Sequence, residues 1–271
     1  MGLIGIEAAS EDVKPWAARL AKSLKLNLLQ PGRAASEPTP EASVKLVVSE
    51  IGLGLAFVDQ ELGKKPYYVD FTAGAWKQRF HAGLPKSHIF RKALGFRETG
   101  AGRVLDVTAG FGQDAMMILT LGVELTAIER SPVVFAVLED GIRRAAREDE
   151  TLKARLTNLK LLNVEALDYL AGLTADNAPD VIYLDPMFDK PKKKAKSPKE
   201  MQLLHALLGD PPSAEAELQL LKKALMVAKQ RVVVKRPLKA RAILASPVHT
   251  YKGQSVRYDV YLRRSSDFSV S

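Results

Sequence analysis

One segment constrains this chain more than any other: VLDVTAGFGQDA, residues 104–115. A short apolar strand, Val104–Val107, runs into a glycine-rich turn that opens a helix expected over Asp114–Leu121. Gly110 and Gly112 have no Cβ, so the backbone there can approach a ligand closely. The start of the following helix offers unpaired N–H groups. The residues beyond repeat the strand–helix alternation. Strands are expected at Glu124–Ile128, Leu159–Leu162, Val181–Leu184 and Arg231–Val234, with helices at Val133–Arg147, Glu165–Leu170 and Glu215–Ala228. Alternating βα units imply a mostly parallel sheet covered on both faces. Val248–Lys252 and Ser255–Leu262 read as a hairpin around Gly253 that adds antiparallel strands at one edge. The fold class is therefore α/β, a Rossmann-like sheet with a C-terminal antiparallel hairpin.

The first 75 residues read differently, as a small N-terminal α+β extension to the domain formed by residues 76–271. A helix is expected across Trp16–Leu26, with Trp16, Leu20 and Leu24 at four-residue steps. The Pro- and Ser-rich QPGRAASEPTPEAS reads as a loop. Val44–Ile51 and Leu53–Val58 look like two strands joined at Gly52, and Tyr67–Phe71 like a third. Between Gly74 and Gly95 lies a basic stretch, with Lys77, Arg79, Lys86, Arg91 and Lys92 interleaved with Trp76, Phe80 and Phe90. It reads either as a helical linker with solvated charges or as part of a polyanion-binding surface.

Composition narrows the chemistry. The 271 residues are 46% hydrophobic and 26% charged, as in ordinary globular chains. There is no cysteine, so thiol nucleophiles, disulfides and zinc–thiolate sites are excluded. The four histidines show no paired ligand spacing, and no metal is expected. No apolar run approaches the ~20 residues that span a bilayer. The N-terminus lacks a basic n-region, which makes the cytoplasm the expected location. Forty Lys and Arg against 31 Asp and Glu give a net charge of +9, which suits a polyanionic partner.

Glu129 ends the second strand of the alternating region, nineteen residues after Gly110, where a carboxylate can accept both hydroxyls of a ribose. Gly110-x-Gly112-x-x-Ala115 with Glu129 also fits a dinucleotide fingerprint. Two details favour S-adenosylmethionine instead. Asp106 sits inside the strand end, four residues before Gly110, suited to the charged amino-acid end of a cofactor that has no pyrophosphate. A separate tetrapeptide, Asp185-Pro186-Met187-Phe188, follows a later strand, and a nicotinamide enzyme has no need of it.

That tetrapeptide suits methylation of a nucleobase amine. Such an amine is a poor nucleophile, because its lone pair is delocalised into the ring. A carboxylate and a backbone carbonyl that accept its N–H bonds localise the lone pair on nitrogen. Pro186 fixes the chain so that the preceding carbonyl points into the site. Phe188 offers a flat face for an extruded base. Asp185, Pro186 and Phe188 are the candidate catalytic group. Glu165, after the third strand of the alternating region, is a candidate for the cofactor's adenine amino group or else an ordinary first-turn helix acid. Six lysines, Lys190, Lys192, Lys193, Lys194, Lys196 and Lys199, follow at once, an electrostatic footprint for a phosphate backbone. Lys235 and Arg236 end the next strand and are expected on the same RNA-facing rim.

Taken together, VDFTAGA, DVTAGFGQDA, ERSPVV, YLDPMF and QRVVVKRP resemble the bacterial small-subunit ribosomal RNA guanine-N2 methyltransferases, over about residues 66–262. The resemblance implies a class I methyltransferase sheet, S-adenosylmethionine as methyl donor, and a guanine of 16S rRNA, free or in the small ribosomal subunit, as acceptor. Carried over, the cofactor contacts are Gln113 and Asp114, Glu129 and Arg130, Glu165 and Ala166, and Asp185, alongside Asp106, Gly110 and Gly112. The alternatives are an adenine-N6 methyltransferase of RNA or DNA, a non-catalytic RNA-binding ribosome-assembly factor, and a nicotinamide dehydrogenase.

Overall fold

The structure is a computed structural model that describes residues 2–30, 43–59, 65–96, 102–186 and 198–263. Elements are numbered along the chain. The described residues fall into two compact units, each discontinuous in sequence.

The first unit draws on Met1–Phe71, Ser131–Glu148 and Phe188–Pro211. Its sheet holds β1 (Leu3–Ala8), β2 (Leu28–Leu29), β3 (Val44–Val48), β4 (Leu53–Phe57) and β5 (Tyr67–Tyr68), in the order β2-β1-β3-β4-β5. β1 runs parallel to both β2 and β3, and the β3–β4–β5 meander is antiparallel. The helices of this unit are α1 (Lys14–Leu24), α5 (Pro132–Glu148) and α8 (Lys199–Leu208). The α5 residue Asp140, almost fully buried, is bound on every side. It accepts from the Leu53 N–H at 2.9 Å, Arg143 at 2.7 Å and Arg144 at 2.9 Å. Burial pushes its carboxyl up, but these three partners outweigh burial and hold it below the usual range. β1, β2 and α8 are additions to the elements expected from sequence.

The second unit draws on Thr72–Arg130, Asp149–Met187 and Pro212–Ser271. Its sheet is built from β6 (Arg103–Asp106), β7 (Glu124–Ile128), β8 (Leu159–Leu162), β9 (Val181–Leu184), β10 (Arg231–Pro237), β11 (His249–Lys252) and β12 (Val256–Leu262). The strand order is β11-β12-β10-β9-β6-β7-β8. β6 to β10 are parallel, while β12 is antiparallel to β10, and β11 to β12. This is the expected Rossmann-like sheet with its terminal hairpin. β9 (VIYL) is buried at every residue, as a central parallel strand covered on both faces must be.

Helices α2 (Gly74–Ala82), α3 (Ile89–Leu94), α4 (Gln113–Leu119), α6 (Glu150–Leu156), α7 (Ala166–Ala171) and α9 (Ala214–Val227) complete the unit. α9 begins where Ser213 accepts from the Ala216 N–H, with Glu215 and Glu217 favouring its positive end. Its Leu221, Ala224 and Leu225 join Leu105, Ile128, Ile182, Leu184, Val232 and Val234 in one hydrophobic core. α6, not expected from sequence, starts at Asp149, whose carboxylate accepts from the Thr151 and Leu152 N–H groups. Chain order reverses at β6, with β7 on one side and β9 on the other. Ligands of open α/β sheets bind at the strand carboxyl ends beside such a reversal.

Candidate active site

The carboxyl ends of β6, β7, β9 and β10 converge on one group of charged side chains. Asp106 ends β6 and is completely buried. Its Oδ1 accepts from the Thr108 N–H at 2.9 Å and the Thr108 hydroxyl at 3.4 Å. Its Oδ2 is buried with no hydrogen-bond partner among the described residues. Burial is the chief reason its carboxyl is pushed up to about 8, and the charges of Asp114 and Asp185 add to the effect. Asp106 therefore carries a proton at neutral pH.

After Asp106 the chain turns through Gly110 (φ +54°) and Gly112 (φ +79°), left-handed conformations that side chains with a Cβ rarely adopt. Gly112 caps α4. The Gly110 N–H donates to Glu129 Oε2 at 3.0 Å, so the acid at the end of β7 reaches the turn as its spacing implies. Asn163, just past β8, donates to the backbone oxygens of Glu129 (2.7 Å) and Arg130 (3.1 Å) and fixes this loop.

Asp185 follows β9 directly. Its N–H donates to the Thr108 hydroxyl at 2.7 Å, which ties Asp185 to the glycine turn. Lys235 of β10 places Nζ 2.9 Å from Asp185 Oδ2 and 2.7 Å from Asp114 Oδ2. The buried Tyr183 donates its hydroxyl to the same Asp114 oxygen at 2.6 Å. Burial raises the Asp185 carboxyl, Lys235 opposes that rise, and Asp114 adds to it, leaving it at about 6. Burial disfavours the Lys235 ammonium, but the two carboxylates more than offset this and hold it above its ordinary value. The cluster thus sets two acidic side chains, Asp114 and Asp185, against the single Lys235 ammonium. The Asp185 side chain keeps 29% of its surface accessible, so it can be reached from solvent.

The residues expected at the site are distributed as follows. Asp106, Asp114 and Asp185 are linked through Thr108 and Lys235, Gly110 bonds Glu129, and Gly112 caps α4. Gln113 opens α4, Arg130 is exposed, and Pro186 follows Asp185. Glu165 is exposed at the cap of α7 without a side-chain capping bond, and Ala166 behind it is buried. Lys235 and Arg236, expected together on an RNA-facing rim, take different roles. Lys235 joins the carboxylates, whereas Arg236 is 8% exposed and donates to both Glu217 carboxylate oxygens, at 3.1 and 3.0 Å. Lys199 lies in α8 of the first unit and donates to the Lys65 carbonyl. Phe188, Lys190, Lys192, Lys193, Lys194 and Lys196 lie outside the described residues. Thr108, Tyr183 and Asn163 were not singled out from sequence. The signal available was local, a hydroxyl inside DVTAG and a tyrosine inside YLDP.

A family model for SAM-dependent methyltransferases matches residues 32–263. The ribosomal RNA small subunit methyltransferase J of Thioalkalivibrio sulfidiphilus is 38% identical over 260 residues, covering 96% of this chain and 97% of that protein. The protein of the same name from Cellvibrio japonicus is also 38% identical, covering 94% and 96%. The crystal structure of a SAM-dependent methyltransferase from Neisseria gonorrhoeae superposes with a TM-score of 0.68 at 31% identity, covering 97% of each chain. The chain belongs to this methyltransferase family. As a SAM-dependent methyltransferase it uses S-adenosylmethionine, and the dinucleotide reading of the glycine turn falls away. The site suits that cofactor. The turn bare of Cβ atoms leaves room for a ligand, the acidic side chains of Asp114 and Asp185 favour a cationic one, and the partnerless Asp106 oxygen leaves one hydrogen bond for it to complete.

Proposed function

We propose that this protein transfers a methyl group from S-adenosylmethionine to the exocyclic N2 of a guanine in 16S ribosomal RNA, in the cytoplasm. The observation that carries this reading is Asp185, partly open to solvent and fixed by Thr108 through its backbone and by Lys235 through its side chain. The names of the relatives supply the substrate class.

S-adenosylmethionine, when bound, supplies a methyl group made electrophilic by its sulfonium. Glu129 would accept the ribose hydroxyls, and Asp106 would stand near the amino-acid end. Gly110, Gly112, Gln113, Asp114, Arg130, Glu165 and Ala166 would line the remainder. The work of the chain lies in alignment, which can contribute several kcal/mol to a bimolecular reaction. The Asp185 carboxylate and its backbone carbonyl, set by Pro186, accept the guanine N–H bonds and concentrate the lone pair on nitrogen. As the N–C bond forms, the nitrogen releases a proton, and the Asp185 carboxylate, with its affinity near pH 6, is placed to take it. Lys235 keeps that carboxylate ionised beforehand. Phe188 gives the base a stacking face, and the lysines at 190–196, with Lys199, supply cations for the RNA backbone.

The test is nucleoside mass spectrometry of unmodified 16S rRNA, or of small subunits, after incubation with the protein and methyl-deuterated S-adenosylmethionine. Label in N2-methylguanosine is expected. Label in N6-methyladenosine, or none at all, would overturn the proposal.

A further inference from the structure

The functional reading leaves unused the basic, aromatic stretch between Gly74 and Gly95. In the second unit this stretch helps form a cavity of about 550 Å³ away from the carboxylate cluster. Lys86, Lys92, Phe96 and Arg231 line it together with His249 and Tyr251 of edge strand β11. Lys86, Lys92 and His249 are exposed, and none of the six residues is acidic. Among the described residues, no carboxylate forms an ion pair with Lys86, Lys92 or Arg231. The Arg231 guanidinium donates from Nη1 to the Ala93 carbonyl at 3.4 Å, while its Nε is buried without a hydrogen-bond partner. An orphaned cationic donor in a wall of cations asks for an anion. Two partly exposed rings beside it offer stacking faces.

The cavity also shares a sheet face with the active site. Arg231, Val233 and Lys235 alternate onto the same side of β10. Tyr251 pairs with Tyr258 across β11–β12, and Tyr258 pairs with Lys235 across β12–β10. Two strand spacings therefore separate Tyr251 from Lys235, about 10 Å. Arg231 lies four residues before Lys235, about 13 Å along the strand. A single strand whose target base sits at Asp185 can reach both.

We propose that this cavity is a second RNA site that holds a single-stranded segment flanking the target guanine, with Lys86, Lys92 and Arg231 on phosphates and Tyr251 stacked on a base. It rests on the reading that RNA is the substrate. The test uses a short fluorescein-labelled oligouridylate and fluorescence anisotropy across a salt series. For the double variant Lys86→Ala/Lys92→Ala, the slope of log affinity against log salt should fall by about 1.4, or about 0.7 per lost phosphate contact. Tyr251→Ala should weaken binding roughly 5- to 150-fold, and Tyr251→Phe should restore it. S-adenosylmethionine affinity, measured by calorimetry, should match wild type in every variant and so report intact folding.

A double variant with the wild-type salt slope, or Tyr251→Ala with wild-type affinity, overturns the proposal. An acidic protein as the true occupant would give that same result. Nucleoside analysis of the wild-type reaction stays separate. RNA held in the cavity without N2-methylguanosine formation removes the functional reading and leaves the cavity assigned, and the reverse removes the cavity alone.

Discussion

Two buried aspartates, one in each unit, show how the same side chain can serve the fold or the chemistry. Asp140 is 3% exposed and Asp106 is 0% exposed, so both have lost bulk water. Asp140 has replaced it completely, with one backbone N–H and two arginines, and its carboxyl is held low. Asp106 has replaced it on one oxygen alone, and its carboxyl rises to about 8. A carboxylate satisfied from all sides has no capacity left for a ligand and works as a clamp between α5 and β4. A carboxyl left half-satisfied beside a bare glycine turn is a cost to the fold that a ligand can offset.

The largest expected effect breaks the clamp. Asp140→Ala strips Arg144 and the Leu53 N–H of their shared partner and should destabilise the protein by about 3–5 kcal/mol, read by guanidinium titration. A loss under about 1 kcal/mol would mean that Asp140 is no clamp.

A smaller loss should appear in cofactor binding. Glu129→Ala removes the carboxylate at the end of β7 and should weaken S-adenosylmethionine by about 1.5–3 kcal/mol, measured by calorimetry. An unchanged dissociation constant would take Glu129 out of the site.

The pH dependence of stability separates Asp106 from Asp140 most finely. With a folded-state value of about 8 against 3.8 for the free side chain, native Asp106 keeps a proton that the unfolded chain releases. Its stabilising contribution is thus fully present below pH 4 and is lost as pH rises toward 8, by at most about 1.4 kcal/mol per pH unit. Asp106→Asn imitates the neutral acid and lacks this slope, so the variant should gain on wild type between pH 5 and 8. Parallel stability curves would show that Asp106 is ionised in the folded protein.

The second unit was legible in its short strand-forming runs. Val181–Leu184, apolar and buried throughout, is the clearest, and Glu124–Ile128 and Leu159–Leu162 also form the strands expected. β1 was not legible, because LIGIEA becomes a strand by pairing in parallel with β3, forty residues on, and nothing local announces that. α8 was hidden because its first residue, Lys199, reads as the tail of the lysine run, while its buried face is only Leu203, Leu204 and Ala206.

At the site, the glycines, Asp106, Glu129 and Asp185 were marked by spacing along the chain. The Lys235 bridge is not a matter of spacing: it joins residues 50 and 121 positions away across the sheet. Strand parity alone separates Lys235 from Arg236, and only the fold shows that the former faces the carboxylates while the latter meets Glu217. The Thr108 hydroxyl, which joins the glycine turn to Asp185, likewise appears only once β6 and β9 lie side by side.

The most direct test of the account is single-turnover methylation of 16S rRNA at saturating S-adenosylmethionine, comparing wild type with Asp185→Asn and Asp185→Ala. These conditions report chemistry rather than cofactor binding or product release. Asn still accepts a hydrogen bond from the guanine amine and should retain part of the rate, whereas Ala accepts none and should lose a factor on the order of 100–1,000. Methylation by Asp185→Ala at the wild-type rate would contradict the account and reduce the DPMF segment to a turn at the end of β9.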